Sequence, residues 1–279
     1  MSIWYAICDL LPLEMLHWDF MKNAFLAILL LAPLLGLAST MVVTGKMSFF
    51  SDALGHSAFT GIAIGAICGI TYPAWAAVIF SVVFALLFSY IRAKSNHAAD
   101  TLIGVFSSTA VALGIFTATL EGGSFTKFNK YLIGDILSIT ASEIALLAFV
   151  LVVAVIFWFL LSNKLTLCTI YPQLASSRGI SVGKTQTAFT VMLAVIVTMA
   201  ISWVGLLILN SLLVLPAAIS RNIAKNLRQY YSISIIAALI SGIAGLILSY
   251  LFGVSAGAAI CLALAGLFAI SFIFRKVKA

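Results

Sequence analysis

Between residues 24 and 274 the chain passes through one apolar stretch after another, each about twenty residues long, and keeps nearly all its charges in the gaps. A stretch of that length crosses the hydrocarbon core of a bilayer as a helix, because a helix satisfies every backbone N–H and C=O within itself. The stretches fall at about 24–44, 49–70, 73–91, 100–120 and 142–161, then in one long run at 187–220, and last at 231–251 and 255–274. The 187–220 run is too long for one crossing. Trp203 and Gly205 mark its midpoint, so it reads as a helix to about Ser202, a tight turn, and a second helix back to Arg221. An all-α polytopic membrane protein with eight or nine transmembrane helices is expected.

Composition leaves no room for a soluble domain. Only 8% of residues are charged and 63% are hydrophobic, against about 25% charged in soluble domains. A net charge of +7 on a soluble chain would suggest nucleic acid as a partner. On a polytopic chain it reports cytoplasmic loops, where Lys and Arg accumulate. The bilayer is the expected partner, and nucleic acid is not. Threading nine crossings with the N-terminus outside puts twelve of the fifteen Lys and Arg residues on the inside, so the N-terminus is expected outside and the C-terminus in the cytoplasm. No basic residue precedes the first apolar patch, so no cleaved leader is expected. Residues 1–23 read as an outer interfacial segment, 24–275 as the transmembrane domain and 276–279 as a cytoplasmic tail.

The second stretch breaks the apolar rule. Ser51 to Gly61 reads SDALGHSAFTG and carries Asp52 and His56. Four residues apart on a helix, they share one face. Ionisable groups at membrane depth are costly, which makes them candidates for function. A carboxylate oxygen and an imidazole nitrogen suit a divalent metal such as zinc or manganese. A proton relay and a satisfied structural pair are the other readings of the same two residues. A secondary or proton-coupled cation transporter is the alternative function that the relay would serve.

Residues 162–186 form the longest polar segment between spans and are expected on the cytoplasmic side. Within it Pro172 followed by LASSRG reads as a short helix entered after proline and stopped at Gly179. Asp100 is expected to cap the helix it opens, and residues 121–141 to form a polar outer connection with a short helix. Gly242, Gly245, Ala256 and Ala259 are expected to let helices approach closely. Cys8, Cys68, Cys168 and Cys261 are widely spaced and expected to be small buried residues, not a disulfide or zinc framework. His17 and His97 are expected at the surface. No GxxxxGK[ST] nucleotide loop and no GxSxG or HExxH motif occurs, so no enzymatic site is expected on this chain.

Five segments in order resemble the membrane subunits of ATP-binding-cassette importers for zinc, manganese and iron. They are SFFSDALGHSAFTGIAIG (48–65), DTLIGVFSSTAVALG (100–114), YLIGDIL (131–137), LASSRGISV (174–182) and VGLLILNSLLVLPAAISR (204–221). The resemblance covers roughly residues 24–275. It implies a permease fold of the vitamin-B12-importer kind with fewer helices, in the cell membrane of a prokaryote. It implies a homodimer, two cytoplasmic ATPase subunits that hydrolyse ATP, and an extracytoplasmic metal-binding protein. It places the metal pathway at Asp52 and His56, with the ion as cargo and no cofactor held by this chain. It places the coupling to the ATPase at Pro172, Leu174, Ala175, Ser176, Ser177, Arg178 and Gly179. One position departs from the family's pattern: Thr60 precedes Gly61 where the family usually has proline. Tyr171-Pro172-Gln173 also replaces an acidic start to the coupling helix.

Overall fold

The computed structural model describes residues 4, 5, 8, 14–70, 73–95, 97–120 and 136–275. Among these residues ten α-helices follow in order: α1 Asp19–Thr44, α2 Phe50–Ile67, α3 Pro73–Lys94, α4 Ala99–Leu120, α5 Ala141–Ile170, α6 Pro172–Ser177, α7 Val182–Ile201, α8 Trp203–Ile223, α9 Leu227–Phe252 and α10 Ala256–Ile273. Eight of them, all but α2 and α6, are long and apolar enough to cross a membrane. The all-helical polytopic expectation holds among the described residues.

The long apolar run divides where the sequence indicated. Its helical stretch of 42 residues would measure about 63 Å unbroken, twice a hydrocarbon core. Gly205 interrupts it at φ 81°, ψ 162°, a backbone region that glycine alone enters cheaply.

Elsewhere the boundaries moved. The first long helix begins at Asp19, not near residue 24, with the Asp19 carboxylate in its first turn, where it complements the helix dipole. α5 runs on to Ile170, so Ser162–Ile170 is helix and not part of a polar loop. The polar side chains there do not break it: Thr166 and Thr169 donate to the carbonyls of Ser162 (2.8 Å) and Leu165 (2.7 Å), one turn back. Asp100 stands inside the first turn of α4, which opens at Ala99, and so is not the residue before the helix. The outer connection at 121–135 and the tail at 276–279 lie outside the described residues; Ile136–Ser138 form one short 3-10 turn.

The chain forms two compact units. One comprises Met1–Thr40, Asp135–Val153 and Trp203–Ala279. Here small residues and hydroxyls join the helices, because lipid supplies no hydrophobic force to press them together. A β-carbon on Gly245 would lie 2.6 Å from Ile260 Cα, so α9 and α10 touch backbone to backbone. One on Gly242 would strike Ile28 at 2.7 Å. Ser234 Oγ donates to Gly36 O across α9 and α1 at 2.6 Å, and Ser211 Oγ reaches Cys261 Sγ at 3.1 Å. Pro216 is buried and Asn210 half-buried, so these proline and polar positions of α8 face protein, as such residues do in membrane helices. At the N-terminus Trp4 Nε1 donates to Lys22 O at 3.0 Å and the Trp4 ring stacks on Phe25.

The second unit comprises Met41–Gly134 and Ala154–Ser202. Its centre is α2, which packs along both α3 and α4. Phe50, Phe88 and Phe106 form a ring ladder across the three helices, with centroids 4.6 and 5.4 Å apart. Arg92 near the end of α3 donates to Met47 Sδ (2.9 Å) and Gly45 O (3.3 Å), holding the turn that leads into α2.

Candidate functional site

The turn from α1 to α2 turns sharply at Lys46, whose φ is 54°, and α2 starts at Phe50. Asp52 therefore falls in the first helical turn, where the positive end of the dipole favours a carboxylate. His56 follows one turn later. Its Nε2 lies 3.6 Å from Asp52 Oδ2, close enough for an ion pair when the ring is protonated and open enough for both to turn toward a third atom. The two share one face, as their spacing predicted.

Burial gives that face its meaning. From Phe50 to Gly65 every residue of α2 is buried except Asp52, His56 and Ile64. The His56 side chain is 27% exposed and that of Asp52 41%. So the stripe of α2 left open in the single chain is the one that carries the two ligand-type side chains. Chemically the pair offers one imidazole nitrogen and two carboxylate oxygens. No group of three or more His, Cys, Asp or Glu positioned to hold a metal occurs among the described residues. Among the described residues, then, the pair is two candidate ligand side chains, fewer than the four that zinc takes. His17 and His97 are exposed, as expected, and stand in no such group.

Around this pair the structure sets supports that sequence reading missed. Ser57 Oγ and Ser81 Oγ lie 3.0 Å apart, joining α2 to α3. Thr60 Oγ1 donates to Ala110 O at 2.7 Å, joining α2 to α4, and lies 3.0 Å from His56 O. A β-carbon on Gly61 would sit 2.6 Å from Ala77 Cα, and one on Gly114 would sit 2.8 Å from Thr60 Oγ1. The signal was present in the small and hydroxylic residues Ser57, Ala58, Thr60 and Gly61, but their facing was not. Thr60 leaves α2 helical through Gly61, with no break at this position.

The second candidate region is α6. Pro172 stands at its first position, as expected. Gly179 closes it at φ 73°, with Gly179 N bonded to Ser176 O (3.0 Å) and Ile180 N to Ala175 O (3.0 Å). This pair of bonds is the Schellman motif, which needs a left-handed residue where Gly179 stands. Pro172, Leu174, Ser176, Ser177, Arg178 and Gly179 are exposed. Ala175 is not: it is fully buried and cannot meet a partner from outside. Among the cysteines, Cys68 is exposed at the end of α2, against the expectation that all four are buried, and Cys261 is half-buried.

Known proteins with this architecture narrow the function. The chain is 30% identical over 252 residues to the high-affinity zinc uptake system membrane protein ZnuB of Haemophilus influenzae, covering 89% of this chain and 93% of that one. It is 26% identical to the manganese transport system membrane protein MntC of Halalkalibacterium halodurans, covering 94% and 89%. The solved structure of PsaBC from Streptococcus pneumoniae in complex with Fab contains a chain that superposes with a TM-score of 0.79 at 25% identity, covering 98% of this chain and 95% of that one. The sequence profile of the ABC 3 transport family matches residues 17–275. With eight apolar helices and coverage of nearly the whole chain, this protein belongs to the ABC 3 transport family.

Proposed function

We propose that this chain is the membrane-spanning permease subunit of an ATP-driven importer of divalent transition metal ions, with zinc and manganese ahead of iron. The observation that carries the reading is the open stripe of α2. A helix buried almost throughout leaves Asp52 and His56 uncovered on one face, in a family with zinc- and manganese-system relatives. Two copies around a two-fold axis supply the pair twice, giving four ligands where one chain offers two. The ion is cargo, so the site has to release it. A half-exposed carboxylate and imidazole suit that better than a thiolate cage. ATP hydrolysis belongs to two separate cytoplasmic subunits docked on α6, and an extracytoplasmic metal-binding protein delivers the ion.

The test is uptake of Zn²⁺ and of Mn²⁺ into proteoliposomes holding the chain with its ATPase subunits. ATP-dependent uptake is expected, and Asp52→Ala and His56→Ala are each expected to lower it at least about tenfold, a loss of about 1.4 kcal/mol or more, with insertion and dimer unchanged. Normal uptake by both variants removes these residues from the pathway. Uptake driven by a proton gradient without ATP points to the proton-coupled alternative.

A further inference from the structure

We infer that Thr60 is a positioning residue that fixes His56 for metal capture by bonding its turn of α2 to α4. This rests on the metal-pathway reading of Asp52 and His56, and assigns a role to a residue outside the pair. The Thr60 hydroxyl has one proton and two carbonyl oxygens within reach: Ala110 O on α4 at 2.7 Å and His56 O at 3.0 Å. Shared between them, that proton joins the backbone of His56 to a neighbouring helix. Thr60 is fully buried, so no water substitutes for it and the bond is not diluted by solvent.

The surroundings are shaped to hold this hydroxyl. Gly114, one turn beyond Ala110, leaves room for it: a β-carbon there would sit 2.8 Å from Thr60 Oγ1 and 2.7 Å from the Phe59 ring. On the opposite side Gly61 brings α2 against Ala77 of α3, and Ser57 meets Ser81 at 3.0 Å. α2 is therefore gripped from both sides within one turn of His56. Thr60 acts on backbone atoms only, since both acceptors are carbonyls. It sets where the His56 ring stands relative to α4 and leaves the ring free to rotate toward an ion. Proline at position 60 would remove the amide N–H that pairs with His56 O and kink the helix there. Threonine keeps that bond and adds a second.

Loss of the hydroxyl should loosen capture of the ion without impairing the ATP-driven step. In proteoliposomes with the ATPase subunits, Thr60→Val is near-isosteric but cannot donate. It is expected to raise the half-saturating Zn²⁺ or Mn²⁺ concentration about three- to tenfold, in the range that interhelical hydrogen bonds carry in membranes, with the maximal rate held within about twofold. Thr60→Ser restores the donor and is expected to return the half-saturating concentration to the unsubstituted value. Gly114→Ala reaches the same hydroxyl from α4 and is expected to raise it too, which gives a second route if Thr60→Val inserts poorly. An unchanged half-saturating concentration in Thr60→Val and Gly114→Ala, or a serine variant that behaves like valine, overturns the inference. Asp52→Ala and His56→Ala run beside them separate the two claims. If those two are inactive while Thr60→Val is normal, only the positioning role falls; if they too transport normally, the pathway reading falls.

Discussion

Glycine at position 61 does a different job from glycine at 104, although both sit in apolar helices. A β-carbon on Gly61 would lie 2.6 Å from Ala77 Cα and 3.0 Å from Ala76 O, both backbone atoms that cannot move alone. A β-carbon on Gly104 meets nothing within 4 Å. Gly61→Ala should therefore push α2 off α3 at a cost of about 1–3 kcal/mol. Gly104→Ala should be neutral or stabilise its helix by up to about 1 kcal/mol, since glycine in a helix is entropically costly. Thermal unfolding of the purified chain in detergent reads both. Equal melting temperatures for the two variants would show that the α2–α3 approach has slack. From sequence, Gly242, Gly245, Ala256 and Ala259 of the last two helices were expected to be packing residues, and Gly242 and Gly245 are so. Gly61 and Gly114 were not, because close packing depends on which way a glycine faces, and a uniformly apolar helix gives no angular reference for it.

At the scale of elements, α6 was legible to the residue because its ends are chemical signals. Proline at the first position and a left-handed glycine after the last turn specify a short helix on their own. The C-terminal end of α5 was not legible, because hydroxyl side chains that read as loop instead bond back into the helix. The Asp52–His56 stripe followed from spacing alone, while its supports at Ser57, Ser81, Thr60 and Ala110 come from two neighbouring helices and needed the fold. Burial also corrects how α6 can be tested. Ala175 is fully buried, so a bulky residue there would disturb the chain itself. Ser176 and Ser177 are exposed and their hydroxyls bond back to Pro172 O and Leu174 O. Ser176→Trp should lower metal-stimulated ATP hydrolysis by the docked subunits several-fold while leaving metal affinity in place, and cysteines at Ser176 and Ser177 should crosslink to the ATPase. Absence of both effects would move the docking surface away from α6.

For the whole molecule, the distribution of basic residues sets the expected orientation. Lys46, Arg92, Lys94, Lys164, Arg178, Lys184, Arg221, Lys225, Arg228 and Arg275 all fall on one side if α2 crosses with the eight more apolar helices. A cysteine introduced at Ser2 should then react with an impermeant maleimide added to intact cells, and one at Ala279 should react only after the cells are opened. Labelling of the C-terminal cysteine from outside would reverse the orientation and, with it, the side on which α6 meets its partner.

The modest hydropathy of α2 bears on how the protein is made. A helix that carries a carboxylate and an imidazole among serines, threonine and glycines pays heavily to enter lipid by itself. In the finished fold most of it is shielded, since 13 of its 18 residues are buried and α3 and α4 pack along it. Yet those two helices are the next to be synthesised. During biogenesis α2 is therefore expected to enter the bilayer together with its two successors, in one cooperative step, and not ahead of them. The two side chains proposed for the metal pathway would thus also shape the order of assembly.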